Sequence, residues 1–408
     1  MEDVIIVGGG ASGMVCAILA ARRGCRVTIL EHKDRLGKKI LATGNGKCNY
    51  TNLVQEPQMY RSDNKEFPLK VLSLFDVNKT IDFFMELGVY PKNRNGYLYP
   101  NSEQASSVLQ VLEMELKRLQ VKVHLSVHVE KIHKKKNKFI ITTNQGELIA
   151  SNVVLSTGGC ASKNLGSDGS GYELSKGFGH SIIKPLPALV QLVSKEKYFK
   201  TLQGVRCIGD VTLFSNGKEL IHERGELLFA NYGVSGIPIF QISRFAAKEL
   251  DNRSKVWLVV DFLPEVSKVD TKELIEHRMR HNSTKSLEEM LVGLLNNKLA
   301  YVLLKQGNLA CDKLCKTTTA KDIEIIVSNI KEFRIPITDT NPFEQAQVSA
   351  GGVNTKEIDP HTLESKLVEG LYIIGELLDV DGTCGGYNLQ WAWSSGAVAA
   401  MGLGKEMR

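Results

Sequence analysis

The chain has 408 residues, of which 43% are hydrophobic and 24% are charged, and its formal net charge is +6. This balance is typical of a globular protein and excludes disordered, collagen-like and fibrous chains. The length exceeds what one hydrophobic core usually holds, so we expect two or three domains. A charge of +6 is too dilute over this length to indicate a nucleic-acid partner, and we expect none.

Targeting and redox features indicate a cytoplasmic protein. The sequence contains no run of about 18 apolar residues, which predicts no membrane partner. The first residues lead straight into an apolar run and lack the basic and apolar regions of a signal peptide. The eight cysteines are scattered and form no CxxC motif, so we expect free thiols and no metal site. The sequence does not indicate an oligomeric state.

The N-terminal segment predicts a β–α–β unit. Residues 4–7 are a β-branched apolar run, typical of a strand that is buried on both faces. Residues 8–13 are glycine-rich, residues 14–22 have the small side chains of a closely packed helix, and residues 27–30 form a second apolar run that ends at Glu31. A G-x-G-x-x-G motif in this context is the fingerprint of a dinucleotide-binding turn.

The glycines of this motif have separate tasks in such a turn. Gly8 permits the tight turn, Gly10 lets the backbone approach a pyrophosphate, and Gly13 lets the helix pack closely on the strand. The pyrophosphate then lies at the helix N-terminus, where free N–H groups favour an anion. Glu31 is placed to bind ribose hydroxyls and to repel a 2′-phosphate, so this site should not hold NADP. The alternative is a tight turn without a ligand.

A second segment, residues 37–49, is rich in glycine and short polar side chains and contains the adjacent Lys38 and Lys39. We interpret it as a loop whose N–H donors suit the pyrophosphate and ring edge of an extended dinucleotide. An ordinary surface loop is the alternative. Cys48 is either a buried small side chain or a thiol near the reactive ring.

The following stretch is predicted to contain one helix and several strands. Residues 105–119 show the spacing of an amphipathic helix, and three short strands are expected within residues 121–143. The lysine-rich residues 131–138 are interpreted as a solvated hairpin between two of these strands. Another apolar strand then runs into Thr157 and Gly158, where the backbone would meet a cofactor.

An insertion with different patterning interrupts this α/β domain. Residues 190–264 alternate strand and turn signals, and residues 265–340 show mainly helical spacing. We therefore predict a discontinuous domain over residues 1–189 and 341–408, with an inserted domain at 190–340. A substrate pocket is expected between the two, because interdomain clefts favour ligand sites.

The C-terminal segment predicts a second anion-binding helix start. Residues 371–374 form a buried strand that ends at Gly375 and Glu376, and glycines then precede a helix expected over residues 389–403. A helix N-terminus aimed at a flavin ring would raise its electron affinity. Residues 166–171 are glycine-rich but follow no apolar strand, so we interpret them as a loop and not as a second fingerprint. Any NAD(P)H must therefore dock transiently, or another electron partner is used.

These motifs resemble the HI0933-like flavoprotein family along the whole chain. Residues 37–52 are similar to the family's GKK…TGNGRCN.TN stretch, with Lys47 in place of arginine. Residues 153–179 are similar to its ATGG…GDG.GY segment, departing at Ser156 and Ser170. Residues 370–396 closely resemble the family's C-terminal signature. The resemblance implies an α/β fold with a discontinuous Rossmann-like FAD-binding domain of the two-dinucleotide-binding type. It further implies an inserted β-barrel plus helical domain, and an oxidoreductase that uses FAD and NAD(P)H.

The resemblance implies a set of cofactor-binding residues, at the positions of this sequence that match the family's motifs. It implies no defined catalytic acid or base. The fingerprint residues hold the pyrophosphate, Glu31 binds the adenosine ribose, and Val129 meets adenine through its backbone. The others line the phosphates, the ribityl chain or the flavin ring. The full set is Gly8, Gly10, Ala11, Ser12, Gly13, Glu31, Lys38, Lys39, Thr43, Asn45, Cys48, Asn49, Val129, Thr157, Gly158, Gly375, Glu376, Asp381, Gly382, Asn388 and Leu389.

Three functions are compatible with these residues. The first is an FAD-dependent reductase that takes hydride from NAD(P)H and reduces a C=C or C=O bond of a small organic substrate. The second is an FAD-dependent oxidase of an amine or hydroxy substrate that produces hydrogen peroxide. Family members are assigned to both kinds, as aminoacetone oxidases and as reductases of unsaturated keto-steroids. The third is a flavin-binding, RNA-interacting protein, although no basic stripe with interleaved aromatic residues is visible in the sequence.

Overall fold

A computed structural model describes residues 2–403 of the chain. The described chain divides into two compact units, one formed by the residues up to Leu186 and from Gln347 onward, the other by Pro187–Ala346. The sequence predicts these limits near 190 and 340. Each unit has its own hydrophobic core, so each buries its apolar side chains separately.

Most of the described strands are short. In chain order they are β1 Glu2–Val7, β2 Val27–Leu30, β3 Thr51–Asn52, β4 Tyr60–Arg61, β5 Pro91–Arg94, β6 Tyr97–Pro100, β7 Lys122–His124, β8 Val129–Lys135, β9 Lys138–Thr143, β10 Gly146–Leu155, β11 Ile182–Ala188, β12 Leu192–Val193, β13 Arg206–Ser215, β14 Lys218–Ala230, β15 Gly233–Ser235, β16 Val256–Asp261, β17 Phe333–Ile337, β18 Asp339–Thr340, β19 Val348–Val353, β20 Leu371–Ile373 and β21 Asp381–Gly382.

The described α-helices range from a single turn to nearly five turns. In chain order they are α1 Ala11–Arg22, α2 Lys38–Ala42, α3 Glu66–Leu74, α4 Val77–Glu86, α5 Ala105–Arg118, α6 Ser170–Lys176, α7 Phe199–Leu202, α8 Ile237–Asp251, α9 Lys268–His281, α10 Leu287–Leu291, α11 Asn297–Gln306, α12 Ala320–Lys331 and α13 Tyr387–Leu403.

The first unit has the mixed sheet of a Rossmann-type α/β fold. Its parallel strands run in the order β7-β2-β1-β10-β20, and the first half of β10 continues antiparallel into β9 and β8. Val7 at the end of β1 pairs with both Leu30 and Leu155. The carboxyl ends of these strands therefore lie at one edge of the sheet, which is where ligands bind in open α/β folds.

Small side chains allow the central helices of this unit to approach each other. A Cβ atom on Gly13 would lie 2.1 Å from the carbonyl oxygen of Gly8, so α1 packs directly on the turn after β1. A Cβ atom on Gly396 would lie 2.4 Å from the carbonyl oxygen of Ser12, so α13 packs just as closely on α1. Larger residues at either glycine would separate these elements.

The second unit combines one sheet with several helices. Its seven strands follow the order β17-β16-β13-β14-β15-β12-β18. The strands at the two ends of this order, β17 and β18, are separated in the sequence by Thr338 alone. Helices α9 to α12 occupy the stretch where helical spacing predicts them.

Three elements differ from their predictions. The segment 37–49 is not one loop: Gly37, with φ +61°, leads into α2, and a 3₁₀ turn at Thr43–Gly46 follows. The last two residues of the predicted loop 166–171 belong to α6, because Gly169 adopts φ +82° and turns the chain into the helix. The C-terminal helix begins at Tyr387, two residues earlier than expected.

Other global features concern membranes, metals and thiols. Between residues 2 and 403, no helix is both long and apolar enough to cross a membrane. In the same range, no group of three or more His, Cys, Asp or Glu residues is arranged to hold a metal ion. The eight cysteines are free thiols.

Candidate functional site

The G-x-G-x-x-G turn opens directly onto α1. Gly8 has φ +105°, and a Cβ atom there would lie 2.5 Å from the carbonyl oxygen of Ser156. A Cβ atom on Gly10, in contrast, would meet no atom within 4 Å. Gly10 is the N-cap of α1, and no side chain caps this end of the helix. The free N–H groups of α1 therefore face open space beside Gly10, as a pyrophosphate site requires.

Glu31 follows β2 and is fixed beside this turn. Its Oε2 atom accepts the Gly9 N–H at 2.8 Å, and its Oε1 atom accepts the Lys33 N–H at 2.8 Å. The His32 ring lies against the same carboxylate, with Nδ1 3.5 Å from Oε1. The carboxylate is therefore held where the ribose of a nucleotide bound at α1 would lie.

The end of β10 lies against the same turn. The Ser156 hydroxyl contacts the carbonyl oxygens of Val7 at 3.0 Å and Gly8 at 2.7 Å. A Cβ atom on Gly8 would lie 3.1 Å from the Cα atom of Thr157. The predicted residues Thr157 and Gly158 are thus next to the fingerprint. Ser156, where the sequence departs from the family pattern, ties the two strand ends together.

Lys39 and Glu376 form an ion pair that joins three distant segments. Lys39 Nζ lies 2.7 Å from Glu376 Oε2 and donates to the Ala161 carbonyl oxygen at 3.2 Å. Glu376 Oε1 accepts the Ser349 N–H at 2.8 Å, and Ser349 Oγ accepts the Cys160 N–H at 2.9 Å. The pair therefore links α2, the turn after β10 and the turn after β20.

The turn formed by Gly44 and Asn45 lies near the glycines before α13. Both residues have left-handed φ angles, 55° and 53°. A Cβ atom on Gly44 would lie 2.9 Å from the backbone nitrogen of Asn49, and one on Gly386 would lie 3.0 Å from Asn49 Oδ1. That oxygen is buried and accepts no hydrogen bond from the described residues. A buried acceptor without a donor marks a position where a ligand N–H or O–H group fits.

Two buried tryptophans hold α13 in place. Trp391 Nε1 donates to the Gly375 carbonyl oxygen at 2.9 Å, and Trp393 Nε1 donates to the Tyr50 carbonyl oxygen at 2.8 Å. Both side chains are fully buried, so they act as packing residues. They fix α13 to the end of β20 and to the segment that follows Asn49.

Gly375 lies between the starts of α1 and α13. A Cβ atom on Gly375 would lie 2.5 Å from Ser12 Oγ in the first turn of α1, and its carbonyl oxygen accepts the Trp391 bond from α13. Gly396, which contacts Ser12, lies nine residues after the first residue of α13, Tyr387. That is about 14 Å along the helix axis. Only an extended ligand, such as a dinucleotide, spans both helix starts.

Several predicted residues support the site from the protein interior. Cys48 is fully buried, and burial raises its thiol pKa to about 12, which favours the buried-side-chain alternative. Asp381 is buried in β21. The Asn388 side chain braces the same strand, because it accepts the Gly382 N–H at 2.8 Å and donates to the Gly382 carbonyl oxygen at 2.9 Å. Leu389 packs against the core.

The other predicted residues lie around α2 and at the edge of the sheet. Lys38 Nζ pairs with Asp34 Oδ1 at 2.5 Å, and the Thr43 hydroxyl donates to the Ile40 carbonyl oxygen at 2.6 Å. Val129 begins β8, which is the last strand of the sheet order. The resemblance assigns adenine to the backbone of this strand.

Two residues near the ion pair are absent from the predicted set. Ser349 lies in β19, and its only sequence signal is the following Gly-Gly-Val. Tyr172 lies in α6, one residue after the segment 166–171 that is interpreted as a loop. Its hydroxyl is buried and has no hydrogen-bond partner among the described residues. Burial, and then the nearby Glu376 carboxylate, hold the phenol pKa well above its ordinary value, so the phenol stays protonated.

These donors and acceptors fit FAD. The open N-terminus of α1 suits a diphosphate, Glu31 suits ribose hydroxyls, and the start of α13 suits the electron-rich edge of a flavin. Asn49 supplies an acceptor that lacks a protein donor. The fold and the site define a flavoprotein oxidoreductase that uses FAD.

The chain belongs to the HI0933-like protein family. The family model for the HI0933-like protein Rossmann domain matches residues 2–402. The chain is 43% identical over 401 residues to a 3-dehydro-bile acid delta(4,6)-reductase of Clostridium scindens, covering 98% of both chains. It is 31% identical over 412 residues to a ribosomal RNA dihydrouridine synthase of Haemophilus influenzae, covering 99% of both. A protein of the same name from Escherichia coli is 31% identical over 405 residues, covering 98% of both.

Proposed function

We propose that the protein reduces a C=C or C=O bond of a small organic substrate with electrons that NAD(P)H supplies through FAD. The observation that carries the proposal is the pair of helix starts, α1 and α13, that flank Gly375. FAD supplies a two-electron carrier that accepts and releases hydride. The chain itself contributes the diphosphate site at Gly10, the ribose site at Glu31 and the positive end of α13 for the ring.

The names of the full-length relatives favour a C=C bond. A delta(4,6)-reductase of a 3-dehydro steroid and a dihydrouridine synthase both reduce a ring C=C bond that is conjugated to a carbonyl group. In such a bond, hydride adds to the β carbon and a proton adds to the α carbon, so one hydride and one proton are consumed. We propose this conjugate reduction as the reaction of the chain.

Transient docking of NAD(P)H is part of the proposal. The glycine-rich residues 166–171, which start α6, follow a 3₁₀ turn at Lys163–Leu165 and not a strand. They therefore lack the context of a second dinucleotide fingerprint.

A second candidate function is the reduction of uracil rings in RNA, the activity in the names of two relatives. The observation on this chain that favours it is the β5–β6 hairpin, which presents tyrosines and cations on one exposed face. Both candidates use the same flavin site and the same conjugate reduction, and they differ in the substrate.

The test is an anaerobic titration of the purified, FAD-loaded protein. We expect NADH or NADPH to bleach the flavin absorbance, and a 3-oxo steroid with ring C=C bonds or a uridine oligonucleotide to restore it. The substrate that restores the absorbance decides between the candidates. Bleaching by an amine or hydroxy substrate, with release of hydrogen peroxide in air and no response to NAD(P)H, would identify an oxidase. A protein that takes up no FAD contradicts every form of the proposal.

We also propose that the sheet of the second unit forms a β-barrel and that the protein works in the cytoplasm. The single residue between β17 and β18, Thr338, supports the barrel, because it brings the two ends of the strand order together. The eight free thiols support a reducing compartment.

A further inference from the structure

We infer that the outer face of the β5–β6 hairpin binds single-stranded RNA next to the flavin-binding turns. In this hairpin Lys92 pairs with Tyr99 and Arg94 pairs with Tyr97, and opposite residues of an antiparallel pair share a face. The intervening Leu98 points to the other face and is buried. Cations and aromatic rings therefore alternate on one face of the hairpin.

Two tyrosine rings at this face are accessible to a ligand. Tyr97 is 42% exposed, and Tyr90, which immediately precedes β5, is 70% exposed. Arg94 Cζ lies 5.6 Å from the centre of the Tyr99 ring, a cation–π contact that extends the flat surface. Exposed tyrosine rings are platforms on which nucleic-acid bases stack, without preference for one base.

The cations of this face are only partly neutralised. Lys92 Nζ lies 2.5 Å from Glu103 Oε1, Lys47 Nζ lies 3.8 Å from Glu103 Oε2, and Arg94 contacts the same carboxylate. Three cations share one anion, which leaves an excess of two positive charges. Each cation is at least 41% exposed, so each remains accessible to a phosphate group.

The face adjoins the turns that the FAD site uses. A Cβ atom on Gly385, just before α13, would lie 2.8 Å from Tyr97 Cε1, and one on Gly44 would lie 3.5 Å from Tyr99 Cε1. Asn52 in the neighbouring β3 donates to the Gly385 carbonyl oxygen at 3.0 Å. A strand that stacks on these rings therefore passes directly beside the flavin-binding turns.

A single strand fits this face better than a duplex or an acidic protein. The bases of a duplex are already stacked on each other and do not offer their faces to tyrosine rings, whereas an acidic protein would use the cations alone. The lysine-rich β8–β9 hairpin shows the contrast, because it carries cations but its one Phe, Tyr or Trp residue, Phe139, is buried. The choice of RNA over DNA rests on the second candidate function. Binding of RNA to this face can be measured without any catalytic turnover.

The experiment measures binding of a fluorescent twelve-residue oligouridylate to the full-length, FAD-loaded protein by anisotropy at several KCl concentrations. We expect binding that depends on salt and that weakens at least tenfold in K92Q/R94Q. In this variant the slope of log binding constant against log salt concentration should be smaller in magnitude by about 1.4, because two phosphate contacts are lost. Y90S should weaken binding about tenfold with an unchanged slope, because a stacking contact is lost. The matched control K135Q/K136Q removes the same charge from the β8–β9 hairpin and should stay within twofold of the parent.

Other outcomes overturn the inference. Absence of binding at 50 mM KCl, equal losses in K92Q/R94Q and K135Q/K136Q, or equal affinity for an RNA duplex or polyglutamate would each contradict it. Y90S provides the test if K92Q/R94Q does not fold. Because binding is measured without reductant, a protein that binds no RNA and still reduces a steroid enone would refute this inference alone.

Discussion

Gly10 and Gly13 lack a side chain for opposite reasons. At Gly13 a Cβ atom would collide with the Gly8 carbonyl oxygen at 2.1 Å, so the absence of a side chain serves packing. At Gly10 a Cβ atom would meet nothing within 4 Å, and φ is −80°, which any residue adopts. Contacts within the described protein therefore give no reason for glycine at position 10, whereas the proposed approach of a diphosphate there would give one.

Substitution of Gly10 tests this distinction. We expect G10A to leave the melting temperature of the FAD-free protein within about 2 °C of the parent, because the added methyl group meets open space. The FAD dissociation constant should rise at least tenfold, because the methyl group occupies the approach of the diphosphate. Differential scanning calorimetry and flavin fluorescence measure the two effects.

G13A is the matched control for this substitution. Its methyl group meets the Gly8 carbonyl oxygen, so it should lower the melting temperature even without FAD. If G10A destabilises the FAD-free protein as much as G13A does, or binds FAD as tightly as the parent, the diphosphate is not at Gly10.

The Lys39–Glu376 pair also makes a prediction at the residue scale. Both side chains are largely buried, and Glu376 is oriented by the Ser349 N–H. We expect a double-mutant cycle with K39M and E376Q to give a coupling energy of about 1 to 2 kcal/mol in urea unfolding, because two partly buried, oriented charges lose little energy to solvent screening.

The neighbouring Lys38–Asp34 pair is the control for that cycle. It is an i,i+4 pair in which the Asp34 side chain is 74% exposed, so its coupling energy should not exceed about 0.5 kcal/mol. Equal coupling in the two cycles would show that Lys39 and Glu376 form an ordinary surface pair.

At the scale of elements, the sequence predicts what is local. The first β–α–β unit and the amphipathic α5 are predictable because their hydrophobic periods lie within one segment. The start of α6 cannot be predicted in this way, because it depends on the left-handed conformation of Gly169. The aromatic and basic face is not readable either, because strand pairing, and not sequence adjacency, brings Arg94 beside Tyr97. Likewise, the pairing of Lys39 with Glu376 depends on the tertiary fold.

A buried hydrogen-bonded chain joins the residues after α6 to the segment before β20. His180 Nδ1 lies 2.9 Å from Glu357 Oε2, and its Nε2 lies 2.8 Å from Ser365 Oγ. The order Ser–His–Glu matches that of a hydrolase triad. However, Ser365 is buried, and its oxygen already accepts the N–H groups of Leu367 and Val368. The chain is therefore a structural brace and not a nucleophile.

This brace should make stability depend on pH. Burial alone would raise the Glu357 pKa, but the Ser181 hydroxyl and N–H and the His180 ring outweigh it and hold the pKa below its ordinary value of 4.5. The stabilisation is therefore complete above the unfolded pKa and is lost as the pH falls through the folded one. We expect E357Q to cost about 1 to 3 kcal/mol in urea unfolding at pH 7 and progressively less below pH of about 4.

The exposed Glu173 provides the comparison for E357Q. It pairs with Lys176 on the surface of α6, and its side chain is 74% exposed. E173Q should change the free energy of unfolding by less than about 0.5 kcal/mol at either pH. A cost of E357Q that is the same at pH 7 and at a pH of about 3 would mean that its carboxylate charge is not what stabilises the brace.

At the scale of the whole molecule, the predicted cofactor residues are distributed unequally between the two units. Every predicted cofactor residue lies in the unit that contains β1 and α13, whereas the core of Pro187–Ala346 contains none of them. A ligand stabilises the part of a protein that it contacts, and it does so by about 2.7 kcal/mol at a hundredfold excess over its dissociation constant. FAD should therefore stabilise the two units to different degrees.

Hydrogen exchange with and without FAD tests this division. We expect exchange to slow up to about a hundredfold in the first turns of α1 and α13 and in the Thr43–Gly46 turn, because FAD contacts these segments and must leave before they open. The core strands β13 and β16 of the second unit should change less than threefold, because no cofactor residue lies in that unit. Equal protection of β13 and α1 would mean that the two units open together, so that FAD stabilises the molecule as one cooperative body. Slower exchange in α1 but not in α13 would mean that the ligand reaches one helix start and not both.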